Sequence, residues 1–399
     1  MSTMEKEIDR IYGDAVASGL LPGVAFIAGD RDGNIIYSKT FGKSTLREGT
    51  DSPFTPDTIC GIASMTKLTT AVAVMKCVED GTLDLDQNIR GMIPGFGEPG
   101  ILRGVEADGS LRIEPESTPV SLRMLLTNTS GQEYEFMDPR LIQWRASRGQ
   151  TSMEGPTVHE KCSVPLTATP GTQFRYGHGY DWAGRVVEVA TGKSLDEFMR
   201  ERIWTPLGIE NDAGFFPRAN EGMKARLAEW ATLDSERKPP ATYLPGFDII
   251  GGATECMGGG GLYASPKAYY TFLSAVFRRD PRLLNASSYD ELFRPQLDER
   301  CEDSMNEYFY SSVQNAEFLA LSIPQSVRKT HALCGMKLKE PQEGRFGRGT
   351  MSWAGAPSNQ WYMDHETGVC GVSVCQIWPA MIPHRLLSGK WFWLISQWS

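Results

Sequence analysis

The chain has 399 residues, 41% of them hydrophobic, and a formal net charge of -9. That is enough apolar material for a large core in one or two interleaved domains, and disorder cannot dominate it. No run of Lys and Arg forms a phosphate-binding surface, so a nucleic-acid partner is excluded, and the acidity serves mainly solubility.

The opening, MSTMEKEIDRIYGDAVASG, has acidic residues where a signal peptide needs an apolar core, and no later apolar run reaches membrane-spanning length. We therefore expect a cytoplasmic protein with no membrane partner. Eight scattered cysteines without CxxC pairs read as reduced, mostly buried thiols. Ile8, Ile11 and Ala15 predict a helix over residues 4–18, broken by the Gly19 to Gly23 region. VAFIAGDRDGNIIYSKTFG follows, and Asp32-Gly33 between two β-rich runs is a hairpin signal. From 61 to about 205 the pattern is largely helical, and SLRMLLTNTSG (121–131) reads as a short apolar helix stopping at a polar turn.

GGATECMGGGGLYASPKAYYTFLSAVF (251–277) is glycine-rich but lacks the Lys-Ser/Thr of a phosphate loop. It reads as tight turns and then a helix capped by Ser265, with Pro266 in first position. Residues 297–345 are polar and irregular, an insertion or lid, or a plain surface excursion. Strands return in QWYMD and GVCGVSVCQIW (360–378). The tail with Trp391, Phe392, Trp393 and Trp398 predicts a helix packed on the sheet.

Ser64-Met65-Thr66-Lys67 matches Ser-x-x-Lys, but Ser235 to Lys238 and Ser326 to Lys329 match it too. Context separates them. Leu68, Ala71, Val72 and Met75 continue from Ser64 at helical spacing, whereas SERKPP runs into two prolines and SVRKTH has no apolar helical continuation. Residues three apart share a helix face, so the Lys67 ammonium can reach the Ser64 hydroxyl. A serine needs a neighbour to take its proton, and a lysine with a free pKa of about 10.4 must be perturbed, or must perturb another base, to help near neutral pH. The plain alternative is an N-capping serine beside a lysine that reaches solvent.

In PGTQFRYGHGYDWAGRVVEVATG (170–192), Tyr176 follows a Pro-Gly turn and precedes an apolar helix; a tyrosine there usually only packs. In MSWAGAPSNQWYMD (351–364), the small Gly355 and Ala356 permit close backbone approach to a cleft. Taken in order, these motifs resemble the serine β-lactamase and penicillin-binding-protein superfamily. Ser64 to Lys67 matches its Ser-x-x-Lys motif, and LLTNTSG resembles its Leu-Leu-Thr-His-Thr-Ser-Gly turn, with Asn128 in place of histidine. Tyr176-Gly177-His178 falls at its Tyr-x-Asn motif and Trp353-Ala354-Gly355 at Lys-Thr-Gly; the resemblance spans about residues 5 to 395.

Trp353 and Ala354 offer neither the cation nor the hydroxyl that holds a β-lactam carboxylate, so penicillin chemistry is not expected. Trp-x-Gly instead resembles the carboxylesterase-like branch. Within it, YGHGYDWAGRVVEVATG, RIWTPLGI and FRPQLDER are most similar to the fungal acyltransferases of the lovastatin side-chain type.

The resemblance implies an α/β (α+β) fold: an antiparallel sheet flanked by helices from residues 1–60 and 250–399, with the irregular insertion at 297–345. A mainly helical domain at 61–249 would leave the active site at the seam. It implies that Ser64 attacks an ester or thioester carbonyl and that Lys67 and Tyr176 share the proton work; either can be the base. The backbone N–H groups of Ser64 and Ala356 would form the oxyanion hole, with Trp353, Gly355 and His178 on the substrate side. His178 would bring a second titrating group to the site, unless it turns away and packs.

Acyl transfer to a small-molecule alcohol of polyketide type is the expected reaction, from a donor that includes carrier-protein-bound thioesters. Hydrolysis by the same acyl-enzyme is the alternative, and a catalytically silent binding protein the third. No cofactor is implied. No metal is implied either, since His159, His331, His365 and His384 form no metal-binding spacing.

Overall fold

The computed structural model describes residues 3–378; the helix expected around Trp391, Phe392, Trp393 and Trp398 lies outside the described residues. A seven-stranded antiparallel sheet organises the chain. Its strands are β1 (Gly23–Asp30), β2 (Ile35–Gly42), β3 (Lys329–Ala332), β4 (Gly335–Leu338), β5 (Met351–Gly355), β6 (Asn359–Asp364) and β7 (Val369–Cys375), in the order β3-β4-β5-β6-β7-β1-β2. Sequence-distant segments meet inside it, where Val24 of β1 stands opposite Cys375 of β7.

The continuous apolar run of β1 has a direct cause: the strand is buried from Gly23 through Gly29, because helices cover both sheet faces. Alternation sends Phe26 and Gly29 to opposite sides. Helix α1 (Thr3–Ala17) meets the first side through Tyr12, whose ring centroid is 4.1 Å from that of Phe26. Tyr270, on a helix introduced below, crowds the second side at Gly29.

Helix α2 (Thr66–Glu79) has buried side chains from Thr66 through Cys77, so it is enclosed all round rather than amphipathic. Its polar groups must therefore be paired internally, and Thr70 Oγ1 donates to the Gly258 carbonyl at 2.7 Å. Helix α3 (Gly179–Thr191) packs beside α2 and ends at Gly192 in the left-handed conformation. Helix α4 (Pro266–Phe277) carries Tyr270 and lies against β1 and β7, with Ser265 Oγ accepting from the Ala268 N–H at 3.1 Å as the sequence predicted. A hairpin of Ile101–Val105 and Leu111–Glu114 interrupts the mostly helical stretch between β2 and α4.

The 297–345 region departs from the expected irregular insertion. It holds helix α5 (Glu299–Phe309), a short helix at Val313–Phe318, and β3 and β4 of the main sheet. The polar density misleads because α5 buries only Cys301, Glu302, Met305 and Phe309, a narrow stripe at helical spacing. β3 is buried along its whole length, Lys329 included. Among the described residues, no helix is long and apolar enough to cross a membrane.

Candidate active site

Ser64 sits in a 3-10 turn, Ala63–Met65, immediately before α2. Ala63 has φ +47°, a left-handed backbone that costs a residue with a Cβ about 1–3 kcal/mol and is typical of functional turns. The turn is held in place: Thr66 Oγ1 donates to the Ala63 carbonyl at 2.6 Å, and the Ile62 N–H reaches the Leu262 carbonyl at 3.0 Å. Ala63 and Met65 are buried while Ser64 keeps partial exposure, so its hydroxyl is presented to a cleft.

Lys67, 2% exposed, points back along the helix to that hydroxyl. Its Nζ donates to Ser64 Oγ at 3.1 Å, to the Tyr134 hydroxyl at 3.1 Å and to the Gly259 carbonyl at 2.7 Å. Three acceptors match the three N–H bonds of an ammonium, which is how a charge is accommodated in so buried a place. The rings of Tyr176, Tyr134 and Tyr180 surround the cation, with centroids 4.9, 5.4 and 5.7 Å from Nζ.

The Tyr176 hydroxyl donates to Ser64 Oγ at 2.7 Å, across 112 residues of sequence. Backbone lacing puts it there. The Arg175 N–H bonds the Asn128 carbonyl at 2.7 Å, and the Tyr134 N–H bonds the Tyr176 carbonyl at 3.0 Å. Asn128 has φ +56°, so the residue that departs from the expected LLTHTSG pattern makes the turn that docks the Tyr176 segment.

Tyr134 was not among the residues singled out from the sequence. It lies beyond the LLTNTSG motif at no diagnostic spacing, and only the pairing of its backbone with Tyr176 brings it to Lys67. Burial, then the negative charge of Asp181, push its hydroxyl well above the ordinary phenol range, so it stays protonated. Phe136, on the same turn, stacks on the Tyr134 ring at 5.1 Å.

The end of β5 closes the cleft. A Cβ on Gly355 would stand 2.3 Å from the Ile62 carbonyl, so only glycine lets the strand approach the backbone leading into Ser64. Asn359 Nδ2 donates to the Gly61 carbonyl at 3.2 Å and ties β6 to the same segment. Ala356 follows at the partly exposed strand end. Trp353, 4% exposed, forms an apolar wall with its ring 5.4 Å from Tyr176, 5.7 Å from His331 and 6.5 Å from Phe309, while Phe318 meets Tyr176 at 6.5 Å. Burial holds the His331 imidazole down at about 4, so this wall is uncharged at neutral pH.

His178 does not reach the substrate side. It is fully buried behind Tyr134, with ring centroids 4.5 Å apart. Its Nε2 meets Glu135 Oε2 at 3.1 Å, and its Nδ1 meets both Asp181 Oδ2 and Cys162 Sγ at 3.3 Å. The correction has a simple reason: Tyr176 and His178 are two apart on a chain entering α3, and the turn that offers Tyr176 to the cleft sends His178 inward.

The β-lactamase family model matches residues 8–380. The chain is 33% identical over 377 residues to a lovastatin esterase of Penicillium rubens, covering 92% of each chain. It is 31% identical over 377 residues to the monacolin J acid methylbutanoyltransferase of Aspergillus terreus, covering 93% of this chain and 90% of that one. The LovD6 mutant of simvastatin synthase from Aspergillus terreus superposes with a TM-score of 0.88 at 30% identity, over 98% of this chain and 94% of that structure. A family match over nearly the whole length, with relatives that are acyltransferases and an esterase, establishes that this chain belongs to the β-lactamase family.

Proposed function

We propose that the protein is a serine acyltransferase that moves an acyl group from an ester or thioester to the hydroxyl of a polyketide-type alcohol. The observation that carries this reading is the convergence on Ser64 Oγ of the Tyr176 hydroxyl at 2.7 Å and Lys67 Nζ at 3.1 Å. Ser64 attacks the donor carbonyl while its proton passes to the Tyr176–Lys67 pair in its singly deprotonated form, phenolate beside ammonium or phenol beside amine, and the leaving alcohol or thiol takes that proton as the acyl-enzyme forms. The acceptor hydroxyl then attacks, returning a proton by the same route. The Ser64 and Ala356 backbone N–H groups are assigned to the developing oxyanion, where one donor is typically worth about 3 kcal/mol of barrier. The closeness of Gly355 to the Ile62 carbonyl supports that pairing.

Trp353, Phe309 and Phe318 supply an apolar wall suited to an acyl chain or a hydrophobic acceptor, and they disfavour water as the second nucleophile. A carrier-protein-bound thioester is one donor that fits this reading. So does a cytoplasmic setting, since all eight cysteines are free and buried. Hydrolysis is the second reading, favoured by the 33% identity to lovastatin esterase.

Mass-spectrometric product analysis with an acyl thioester and a panel of polycyclic alcohols separates the two. An acylated alcohol is the expected product; free acid alone with every acceptor transfers the assignment to a hydrolase.

A further inference from the structure

We propose that His178 is a positioning residue: a doubly protonated imidazolium locked between Glu135 and Asp181, which keeps Asp181 ionised and, through the Gly259 peptide, holds Lys67 on Ser64. The kinetic part rests on the acyl-enzyme reading above; the protonation state does not.

Geometry fixes the protons. A carboxylate only accepts hydrogen bonds, and each ring nitrogen of His178 faces one, Nε2 at 3.1 Å from Glu135 and Nδ1 at 3.3 Å from Asp181. Either neutral tautomer would leave a ring lone pair against a carboxylate oxygen. Charge counting agrees. Glu135 and Asp181 are buried anions, Arg145 is a buried cation with Nε 3.1 Å from Glu135 Oε1, and a protonated His178 brings the cluster to neutrality. An unprotonated ring would leave one uncompensated buried negative charge, an arrangement proteins avoid.

The remaining titratable neighbours do not alter the balance. Burial pushes the Cys162 thiol up to about 11, so it faces Nδ1 as a neutral group. Tyr134 covers the ring as a neutral phenol and separates it from the Lys67 ammonium. Burial alone would lower the pKa of His178, but its hydrogen bonds to Asp181 and Glu135 raise it. Glu135 is pulled down to about 2 because the imidazolium outweighs its burial.

The link to the nucleophile is short. Asp181 Oδ1 accepts from the Gly259 N–H at 2.7 Å, and the carbonyl of Gly259 accepts from Lys67 Nζ at 2.7 Å. An ionised acceptor makes the first of these a charge-assisted bond, which fixes the peptide plane. A Cβ on Gly259 would lie 2.7 Å from Asp181 Oδ2, so the close approach that makes the relay requires glycine there. The superfamily's asparagine is absent at this place, and a buried ion cluster behind Tyr134 takes over the orientation of Lys67.

The test is side-chain nitrogen NMR on histidine-labelled protein, with His178→Gln identifying the signal among five histidines. We expect both His178 nitrogens to stay in the protonated range with no titration near the free value of about 6.5. A titration there, or one unprotonated nitrogen, overturns the proposal, as does one zinc per chain by native mass spectrometry that chelation removes with a change in the signal.

In kinetics, His178→Gln should slow Ser64 acylation about 10²-fold, the scale of a catalytic group misplaced by about an ångström, with KM little changed. Asp181→Asn alone should slow acylation by a similar factor, and His178→Gln with Asp181→Asn should be little slower than either single variant, because both act through one relay. If His178→Gln folds and acylates at the wild-type rate, or the losses of the two folded single variants multiply in the double, His178 does not position Lys67 through Asp181. A His178→Gln chain too unstable to assay leaves the nitrogen spectrum and the double variant to decide. A wild-type chain that never forms an acyl adduct sinks the acyl-enzyme reading instead, while the nitrogen spectrum still decides the protonation.

Discussion

Lys67 and Lys329 are each the last residue of a Ser-x-x-Lys match, and each is buried, 2% and 0% exposed. Their surroundings differ in kind. Lys67 is on a helix, where a residue three positions earlier shares its face, and it donates to Ser64, to Tyr134 and to a carbonyl. Lys329 opens an edge strand, and Ser326 lies in the turn before it and faces solvent. Its Nζ donates to the Pro324 and Val327 carbonyls at 2.8 and 2.5 Å and lies 4.8 Å over the Tyr310 ring. Burial drives Lys329 down to about 7, a value that would suit a general base, yet among the described residues its Nζ bonds only backbone carbonyls and no nucleophile. A perturbed lysine becomes a catalyst only where the fold also delivers a hydroxyl and a place for the substrate.

Four outcomes separate the two lysines and their surroundings, three in rate and one in stability. Ser64→Ala should remove acylation by more than about 10³-fold in single-turnover assays with a p-nitrophenyl ester, whereas Ser326→Ala should leave it unchanged. Lys67→Met should lower the acylation rate by about 10²- to 10⁴-fold, and Lys329→Met should stay within about twofold of wild type; equal losses in the two would dissolve the distinction. Tyr134→Phe removes one of three acceptors from the Lys67 ammonium and should cost about tenfold in acylation with the fold intact by circular dichroism.

The fourth effect is in stability. The unfolded Lys329 ammonium titrates near 10.4, the folded one near 7, so the folded chain holds fewer protons between those values. The penalty of burying the charge is full below pH 7 and disappears as pH rises through that window. Urea unfolding should therefore show a stability gain from pH 6.5 to 9 that Lys329→Met lacks.

Much of this architecture was legible in the sequence, for reasons that can be named. Asp32-Gly33 marked the β1–β2 hairpin, Ser265-Pro266 marked the start of α4, and Leu68, Ala71, Val72 and Met75 chose Ser64 from three equivalent motifs. Local spacing and turn chemistry carry such features. Tyr134 was not legible because its place depends on a backbone bond to Tyr176, and no period or spacing encodes that. Motif order puts His178 on the substrate side beside Tyr176 but says nothing of which way a turn sends each side chain. The 297–345 region hides two helices and two strands because α5 buries only a narrow stripe and leaves the rest of its surface to solvent, while the ammonium of Lys329 makes a buried strand read as polar.

The proposed acyl-carrying nucleophile is Ser64, positioned by Lys67 and Tyr176. Its test is peptide mapping by tandem mass spectrometry after brief exposure to p-nitrophenyl butyrate. A single butyryl adduct is expected on the peptide containing Ser64, localised to that serine, with Ser235 and Ser326 unmodified. Ester turnover that leaves Ser64 unmodified and survives Ser64→Ala, or an adduct at another residue that kinetically precedes product, would contradict it.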